Sequence, residues 1–371
     1  MKQSTKEAKL KKLIQEEIKF SRDKFLKRKK HPSEKELAKP VAFWVKEDRL
    51  LNKQGKELTI ILKTRGCSWA LGEKGGCSMC GYIKDSAYDP VKDSLIISQF
   101  EHALSQFRAQ IKQDSKQYVV KIFNSGSFFD EGEISPEVRN HIYGKLAELK
   151  NIKEIVVESR IEYLTRDKMN DFKEKLSGKY LEIGIGLETV NDFIRNIYIN
   201  KGLQFSEFLD KVALLHDLDI GVRVYLLFKP PFFNEQAAID DCVNSLNTLK
   251  TTDINTISIN PVNIQKGSYV EYLWRKKIYR APWFYSLFTA IQEGITQGDL
   301  KTLRLISDPS GAGTKRGIHN CQRYGCNYEM KELLQQFVMT QDLKHLEIDN
   351  AVCGCKTEYE LQKSFTYHLR D

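Results

Sequence analysis

The 371-residue sequence lacks several features, and each absence excludes a class of protein. It contains no uninterrupted apolar run near the roughly 20 residues that a membrane-spanning helix needs. Its Lys-rich amino terminus has no apolar stretch of the secretory type, so we expect a cytoplasmic protein without a membrane partner. Neither an internal repeat nor a low-complexity tract occurs outside the Lys-rich segment. Hydrophobic residues make up 41% and aromatic residues 11%, enough for a sizeable core, which excludes wholesale disorder.

The excess of positive charge lies almost entirely at one end of the chain. The formal net charge is +9, and residues 1–30 carry +8 of it, with twelve Lys or Arg against four Asp or Glu. We interpret residues 5–30 as a basic helix that ends at the break before Pro32. Such a charged arm is suited to phosphate backbones or acidic membrane surfaces, and a solvated helix that only aids solubility is the alternative.

Strand-like and helix-like segments alternate from residue 58 onward. The β-rich runs are Leu58–Leu62, Tyr118–Phe123, Glu154–Val157, Leu181–Ile185, Val222–Phe228 and Thr256–Ile259. Amphipathic segments lie between them, at residues 95–111, 137–149, 205–218 and 235–249. This order predicts an α/β fold in which parallel strands are joined by right-handed helical crossovers.

About six such units predict a partial TIM barrel of the (βα)6 type, with its active site at the carboxyl ends of the strands. We therefore expect three regions in the chain. Residues 1–54 are predicted to form a basic helical N-terminal extension, residues 55–300 the partial barrel, and residues 301–371 a small Cys-rich element.

Seven of the eight cysteines fall into two clusters, and in a cytosolic chain clustered thiols indicate metal sites rather than disulfides. Cys67, Cys77 and Cys80 share one glycine-rich loop after the first predicted strand of the barrel. Three thiolates of one loop can hold three irons of a [4Fe–4S] cube and leave the fourth iron open to another ligand. Structural zinc is less suitable because it takes four protein ligands, and no fourth Cys or His lies nearby in the sequence.

The second cluster lies near the carboxyl terminus and consists of Cys321, Cys326, Cys353 and Cys355. Four thiolates in two close pairs fit a tetrahedral zinc ion, which is our prediction for this element. His319 could replace one of the cysteines, and a second iron–sulfur cluster is the main alternative to zinc.

The spacing Cys-x9-Cys-x2-Cys after the first strand of a βα repeat resembles that of radical S-adenosylmethionine (radical-SAM) enzymes, in the branch that contains the Elongator catalytic subunit. Longer phrases resemble the radical-SAM subunit of archaeosine synthases, and this resemblance spans residues 55–360. The phrases are Thr64-Arg-Gly-Cys-Ser-Trp69, Gly76-Cys-Ser-Met-Cys-Gly-Tyr82, Gly184-Ile-Gly-Leu-Glu-Thr189, Leu227-Phe-Lys-Pro-Pro-Phe232, Ser258-Ile-Asn-Pro-Val-Asn-Ile-Gln265, Tyr279-Arg-Ala-Pro-Trp283 and Arg316-Gly-Ile-His-Asn-Cys321.

The resemblance implies that S-adenosyl-L-methionine (SAM) binds the open iron through its amino and carboxylate groups. The loop after the second strand holds the place of the superfamily's Gly-Gly motif, although only one glycine is present there. The resemblance implies that Glu158 and Glu188, at the ends of the third and fourth predicted strands, accept hydrogen bonds from the ribose hydroxyls of SAM. It also implies that Lys201 corresponds to a cation that binds the methionyl carboxylate in related enzymes. The residues concerned are Ser125, Gly126, Ser127, Glu158, Glu188 and Lys201, with Arg160 and Lys229 as further strand-end candidates.

For function, the resemblance implies a tRNA-modifying lyase. An electron donor reduces the cluster, SAM is cleaved, and a 5′-deoxyadenosyl radical abstracts hydrogen from a lysine joined through its ε-nitrogen to the 7-deazaguanine base of the tRNA D-arm. Cleavage of the C–N bond then leaves the nitrogen on the base, which forms archaeosine, and releases the lysyl carbons as an aldehyde. The partners implied are this tRNA, a subunit that first attaches the lysine, and the electron donor.

Substrate contacts can be suggested from residue type alone. Aromatic rings offer stacking faces for an extruded base, and two asparagines after the last clear strand are candidates for the lysyl group. These residues are Trp69, Tyr82, Trp283, Tyr285, Asn260 and Asn263, with ordinary core packing favoured for Trp283.

Three other functions stay open: an Elongator-like enzyme, a methylthiotransferase, and a non-enzymatic zinc-bearing RNA-binding scaffold. The absence of cysteine before Cys67 counts against a methylthiotransferase, which would bring an N-terminal domain with its own three cysteines. Too few residues follow position 310 for the acetyltransferase domain of an Elongator-like enzyme. Iron and sulfide in the anaerobically purified protein would separate the enzyme from the scaffold.

Overall fold

The computed structural model describes residues 2–348 and 353–364. Its strands are β1 (Ala42–Arg49), β2 (Gln54–Ile61), β3 (Tyr118–Phe123), β4 (Ile152–Glu158), β5 (Tyr180–Glu188), β6 (Gly221–Phe228), β7 (Thr256–Pro261) and β8 (Arg304–Ile306). Its helices are α1 (Lys2–Leu26), α2 (Glu34–Leu37), α3 (Ser68–Leu71), α4 (Asp93–Gln113), α5 (Pro136–Ala147), α6 (Arg166–Lys175), α7 (Phe205–Asp217), α8 (Glu235–Leu249), α9 (Tyr269–Arg275), α10 (Phe284–Gly294), α11 (Tyr324–Thr340) and α12 (Cys355–Gln362). Within these described ranges, no helix combines the length and the apolar character needed to cross a membrane.

The strands form one curled sheet in which each strand pairs with its neighbours in sequence, from β1 to β8. β1 runs antiparallel to β2, and every later pair is parallel. Strands β2 to β7 with the helices between them are the six βα units expected from the sequence, so the predicted partial barrel is confirmed. The region boundaries at residues 54 and 300 stay a prediction.

Two strands, β1 and β8, are missing from the sequence-based prediction. β1 lies in the segment interpreted as a polar connection, because its residues are half-buried or exposed and form no apolar run. A tight turn joins it to β2, in which the Leu50 amide donates a hydrogen bond to the Lys53 carbonyl at 2.8 Å. β1 is therefore an edge strand that the pairing with β2 defines, and β8 has only three residues.

Three of the crossover helices, α5, α6 and α8, begin where the sequence supplies a capping side chain. At the start of α5, Ser135 Oγ accepts a hydrogen bond from the Val138 amide at 3.2 Å, and Pro136 occupies the first helical turn. At the start of α8, Asn234 Oδ1 accepts from the Ala237 amide at 2.8 Å. These caps fix where each strand-to-helix loop ends at the carboxyl edge of the sheet.

The amino-terminal halves of the strands enclose a buried network of charges. Glu182 on β5 is fully buried and accepts hydrogen bonds from Arg223 on β6 at 2.7 Å and from Arg304 on β8 at 2.9 Å. Lys121 on β3 pairs in the same way with Glu57 on β2. Burial acts to raise the pKa of Glu182, but the charges of Arg223 and Arg304 outweigh it and lower the pKa to about 2. These side chains fill the interior at this end and leave the carboxyl ends of the strands for a site.

Candidate functional site

The loops that follow the parallel strands meet at one edge of the sheet, because parallel strands all end there. This edge collects most of the candidates from the sequence. The cysteine loop follows β2, residues 124–127 follow β3, and Glu158 and Glu188 are the last residues of β4 and β5. The arrangement brings the predicted metal ligands and the predicted cofactor contacts to the same end of the partial barrel.

The first three cysteines lie on one loop and differ in their burial. Cys67 immediately precedes the short helix α3, Cys77 is buried, and Cys67 and Cys80 are half-buried. Burial raises the pKa of the Cys77 thiol to about 12, an effect that the nearby charges of Lys201 and Arg160 partly offset. Thiolates suit an iron–sulfur cluster, and neighbouring cations offset the negative charge of a cluster held by thiolates. The donor set therefore fits the group that the spacing predicts.

Helix α1 packs against this loop with one face. Ile14 and Ile18 are buried in a small hydrophobic core that also contains Cys77. Gln15 lies beside them and donates a hydrogen bond from Nε2 to Asn200 Oδ1 at 2.8 Å. The predicted basic arm is therefore a structural part of the site, and only its other face is exposed.

Arg22 is the strongest contact between α1 and the cysteine loop. Its side chain is 2% exposed and donates hydrogen bonds to the Gly75 carbonyl at 3.1 Å and to the Cys80 carbonyl at 2.6 Å. Gly75 has φ +71°, and a Cβ there would lie 2.8 Å from Lys19 Cα, so only glycine allows this close approach. Nothing in the sequence distinguished Arg22 from the other cations of the arm.

Asn200, which lies well after the cysteine loop in the chain, also holds this loop in place. Its backbone is left-handed, with φ +59°, and its Nδ2 donates to the carbonyls of Lys74 at 3.0 Å and Gly76 at 2.8 Å. The Trp69 indole N–H in turn donates to the Asn200 carbonyl at 2.8 Å. Asn200 thus binds the cysteine loop, and Lys201, the lysine predicted to bind the methionyl carboxylate, follows it directly in the chain.

The loop after β3 is tied to both of its neighbours. Ser125 Oγ donates a hydrogen bond to the Tyr82 carbonyl at 3.2 Å, just beyond the last cysteine. Ser127 Oγ accepts one from the Arg160 amide at 3.0 Å, at the end of β4. The predicted cofactor loop therefore has a defined position between the cysteine loop and β4.

Glu133 is a buried carboxylate that the sequence analysis missed. It accepts hydrogen bonds from Thr64 Oγ1 at 2.6 Å, from Asn124 Nδ2 at 2.8 Å and from the Ser127 amide at 2.8 Å. The Glu133 carboxylate also occupies the place that a Cβ on Gly126 would take. Burial raises the pKa of Glu133, and its three donors partly offset this. Its acidic turn has the composition of an exposed loop, so no sequence signal marked it.

The predicted strand-end acids lie near one cation. Lys201 Nζ donates to Glu188 Oε1 at 2.7 Å, and Glu188 itself is 8% exposed. The Lys201 ammonium lies too close to the position of a Cβ on Gly186 for both to fit, so a side chain at residue 186 would displace the ammonium from its present place. Burial raises the pKa of Glu158 despite the partly opposing charge of Lys201. The structure thus brings Glu188 and Lys201 into contact, with Glu158 in their electrostatic neighbourhood.

Trp69 and Arg160 form the rim of an open cleft of about 530 Å³. The guanidinium group of Arg160 lies 5.1 Å from the centroid of a Trp69 ring, and its Nη1 donates to the Lys201 carbonyl at 3.2 Å. Glu162 and Lys211 also line the cleft. Arg160 therefore links this cleft to the Lys201 segment, although the sequence offered it only as a strand-end candidate.

Three other candidates from the sequence are used inside the protein. Lys229 is fully buried and donates hydrogen bonds to Glu235 at 2.5 Å and to the Arg280 carbonyl at 3.0 Å. Trp283 and Tyr285 are 3% and 4% exposed and stack on each other. The core packing favoured for Trp283 is confirmed, and the proposal that Tyr285 offers a stacking face to a base is wrong.

The four carboxyl-terminal cysteines converge. Their Sγ atoms all lie within 4.8 Å of one another, with 3.9 Å from Cys321 to Cys353 and 3.9 Å from Cys326 to Cys355. A tetrahedral ion with metal–sulfur bonds of about 2.3 Å would separate its ligands by roughly 3.8 Å. The group could therefore hold one metal ion, and His319, whose Nδ1 lies 2.8 Å from a backbone carbonyl, is not required as a ligand.

Comparison with known proteins assigns the family. A scan against protein-family models finds no match. The archaeosine synthase subunit beta of Methanosarcina acetivorans is 38% identical over 317 residues, which cover 85% of this chain and 88% of that protein. The protein of the same name from Thermococcus kodakarensis is 36% identical over 324 residues, covering 86% and 96%. The chain belongs to the archaeosine synthase subunit beta family.

Membership of the archaeosine synthase subunit beta family confirms the resemblance that the sequence phrases indicate. An uncharacterised protein of Methanocaldococcus jannaschii is also 38% identical over 340 residues, covering 91% of this chain and 90% of that protein. Among solved structures, an N-terminally truncated Elp3 from Methanocaldococcus infernus has a TM-score of 0.46 at 13% identity, covering 66% of this chain and 59% of that one. The radical-SAM methyltransferase TsrM from Kitasatospora setae has a TM-score of 0.40 at 14% identity, covering 62% and 40%.

Proposed function

We propose that this member of the archaeosine synthase subunit beta family is a cytoplasmic radical-SAM enzyme of tRNA modification. Its substrate is a tRNA whose D-arm carries lysine joined through the ε-nitrogen to a 7-deazaguanine base. The enzyme cleaves the C–N bond on the lysyl side, so that the nitrogen stays on the base and archaeosine is formed. A partner subunit attaches the lysine beforehand, and a separate reductant supplies electrons.

One observation carries this proposal. A loop with three cysteines lies at the carboxyl edge of a parallel sheet, next to a buried Lys201–Glu188 pair, in a family whose curated members are named archaeosine synthase subunit beta. The spacing of the cysteines is that of a [4Fe–4S] site with one open iron. The word "subunit" in the names of the relatives supports a partner protein.

Each residue at this edge has a defined task in the proposal. When bound, the [4Fe–4S] cluster and SAM supply the 5′-deoxyadenosyl radical that abstracts hydrogen from the lysyl carbon beside the ε-nitrogen. Cys67, Cys77 and Cys80 hold the cluster. Burial acts to lower the pKa of Lys201, but the charges of Glu188 and Cys77 and the hydrogen bond to Glu188 together outweigh it and raise the pKa, so Lys201 stays cationic for the methionyl carboxylate. Glu158 accepts hydrogen bonds from the ribose hydroxyls of SAM.

The exposed surface suits an RNA substrate. The face of α1 that does not contact the cysteine loop carries exposed cations, which could neutralise phosphates of the tRNA. These are Lys6, Lys9, Lys12 and Lys24. Tyr82 is 53% exposed beside the last cysteine of the loop, and Trp69 is half-buried, so both rings are available to an extruded base. Asn260 and Asn263, half-buried at the end of β7, are the proposed contacts of the lysyl group.

The direct test is an anaerobic incubation of the reconstituted protein with dithionite, SAM and lysine-adducted tRNA. We expect 5′-deoxyadenosine and archaeosine to form together, detected by mass spectrometry of the nucleosides. The matched control is the same tRNA carrying the 7-deazaguanine base without lysine, on which no archaeosine should form. The Cys77→Ala variant serves as the control for the protein.

The outcomes separate the alternatives. Release of 5′-deoxyadenosine without archaeosine would retain a radical-SAM enzyme and reject the lysine adduct as substrate. A colourless protein that binds RNA and zinc but takes up no iron would identify a non-enzymatic scaffold and reject the proposal as a whole.

We further propose that the four carboxyl-terminal cysteines hold a structural zinc ion. Two of their sulfur–sulfur distances are 3.9 Å and all lie within 4.8 Å, which suits a single tetrahedral ion, whereas a four-iron cube would separate its ligands more widely. The ion would join the start of α11 to the start of α12, two segments separated by 26 residues between Cys326 and Cys353. It would therefore act as a crosslink for the last part of the chain.

A Cys353→Ser variant is expected to lose this zinc and to lower Tm by at least about 5 °C. The reason is that loss of the zinc ion removes several kcal/mol of folding free energy. Each kcal/mol lost lowers Tm by roughly 2–4 °C in a domain of 150–250 residues. Zinc per chain by mass spectrometry and Tm by calorimetry are the measurements. The control is Cys242→Ala, since Cys242 is a buried thiol of α8 that belongs to neither cysteine cluster. Iron found at this site in a chain without the first three cysteines would instead identify a second cluster.

A further inference from the structure

The cysteine loop and the loop after β3 are joined by one carboxylate. Glu133 is 6% exposed and receives hydrogen bonds from both loops, from Thr64 at 2.6 Å on one side and from Asn124 at 2.8 Å on the other. Thr64 lies three residues before Cys67 and is itself fully buried. Together with the hydrogen bond from Ser125 Oγ to the Tyr82 carbonyl, this side chain holds the predicted metal ligands next to the predicted cofactor loop.

Glu133 also determines which atom of Asn124, in the loop after β3, is left available to a ligand. Because a carboxylate only accepts, the amide of Asn124 must turn its Nδ2 towards Glu133. Asn124 Oδ1 is then left buried and without a hydrogen-bond partner among the residues that the structure describes. A buried acceptor without a partner is unfavourable, and a donor group of a bound molecule would relieve this. The loop therefore leaves an acceptor available for a ligand that carries N–H or O–H groups.

The glycine of this loop has a local explanation. The Glu133 carboxylate occupies the space where a Cβ of residue 126 would lie. Any larger residue than Gly126 must push Glu133 away from its three donors. The resemblance places Gly126 in the superfamily's Gly-Gly motif, whereas the packing explains this glycine by the position of Glu133.

We infer that Glu133 is a positioning residue, which holds the cysteine loop and residues 124–127 in the one relative geometry that binds SAM. The inference rests on the proposed function, because it assumes that SAM binds at this edge. It assigns Gly126 an indirect role, namely to make room for Glu133. It also predicts that changes at positions 126 and 133 act through the same contact.

The test uses four variants of the full chain: Glu133→Gln, Glu133→Ala, Gly126→Ala, and Gly126→Ala combined with Glu133→Ala. Iron and sulfide per chain, Tm, the dissociation constant of SAM by equilibrium dialysis, and the electron paramagnetic resonance change of the reduced cluster on SAM addition are measured. Glu137→Gln is the matched control, since Glu137 is exposed on α5 four residues away and the substitution removes the same charge.

We expect Glu133→Gln and Gly126→Ala to keep their iron and to bind SAM at least about tenfold more weakly, the range found when supporting contacts of a metal site are lost. Since alanine at 133 frees the space for a Cβ at 126, the double variant should bind SAM as well as Glu133→Ala alone. The control should match wild type in every measurement.

Three results would overturn the inference while leaving the proposed function standing. The first is wild-type SAM affinity in both Glu133→Gln and Gly126→Ala. The second is a double variant clearly weaker than Glu133→Ala, which would show that Gly126 acts on the cofactor directly. The third is loss of iron and of Tm in proportion to the loss of SAM binding, which would make Glu133 a stability residue only. If wild type itself bound no SAM, the proposed function would fail first.

Discussion

A Cys77→Ala variant, purified and reconstituted without oxygen, is expected to lose its cluster iron and all measurable cleavage of SAM. Cys77 is buried in the same small core as Ile14 and Ile18, so no solvent-borne ligand can readily replace its thiolate. The loss should exceed the roughly 10–100-fold that follows removal of a supporting contact of a metal site. Iron and sulfide per chain and 5′-deoxyadenosine by chromatography are the measurements.

The control for this prediction is Cys242→Ala, which removes a buried thiol that lies outside both clusters. It should retain full iron content and activity. The same loss is expected for Cys67→Ala and Cys80→Ala, because each variant leaves only two of the three thiolates that bind the cluster. Full iron and turnover in any of the three variants would refute the assignment of the loop as the cluster site.

Replacing Glu182 by glutamine is expected to lower the free energy of unfolding by about 3–5 kcal/mol. The substitution keeps the shape of the side chain but leaves Arg223 and Arg304, which are 2% and 3% exposed, without their shared counter-charge. Denaturant unfolding followed by circular dichroism is the measurement. Glu148→Gln is the matched control, because its ion pair with Arg108 lies at the surface, where a pair contributes about 1 kcal/mol or less.

The same carboxylate gives the prediction a pH signature. The pKa of Glu182 falls from its usual 4.5 to about 2 in the folded protein, so its stabilisation is complete above pH 4.5 and is lost as the pH falls towards 2. The difference in unfolding free energy between wild type and Glu182→Gln should therefore shrink between pH 4.5 and 2. A difference that stays constant over this range would show that Glu182 does not act through its charge.

Much of the fold can be predicted because buried parallel strands are mostly apolar, with single charged residues such as Lys121 in β3 and Glu182 in β5. The run Tyr118–Phe123 coincides with β3, and the runs in β4 to β7 lie inside the observed strands. β1 was not predictable in this way, because an edge strand is partly exposed and its hydrogen bonds come from β2 rather than from its own composition.

Site residues could be predicted where the spacing of cysteines in the sequence indicates a metal site. They could not be predicted where a residue acts through contacts with residues distant in sequence. Cysteine spacing indicated both clusters, and the four carboxyl-terminal thiols do converge. Glu133 and Arg22 could not be found, because each is a common charged residue whose role comes from carbonyls and hydroxyls distant in sequence. Lys229 illustrates the opposite error: a lysine at a strand end suggested a ligand contact, but a partner six residues later, Glu235, takes up its charge.

The packing of α1 on the cysteine loop has a consequence for biosynthesis. This helix is synthesised well before most of the apolar surface that shares its core, which comes from residues 197–199, Leu227 and residues 262–281. Until residue 281 has been made, the core around Ile14 and Ile18 therefore stays incomplete, since domains fold as units. The pocket around Cys77 closes only at that stage. We therefore expect iron and sulfide to be delivered only after residue 281 has been synthesised.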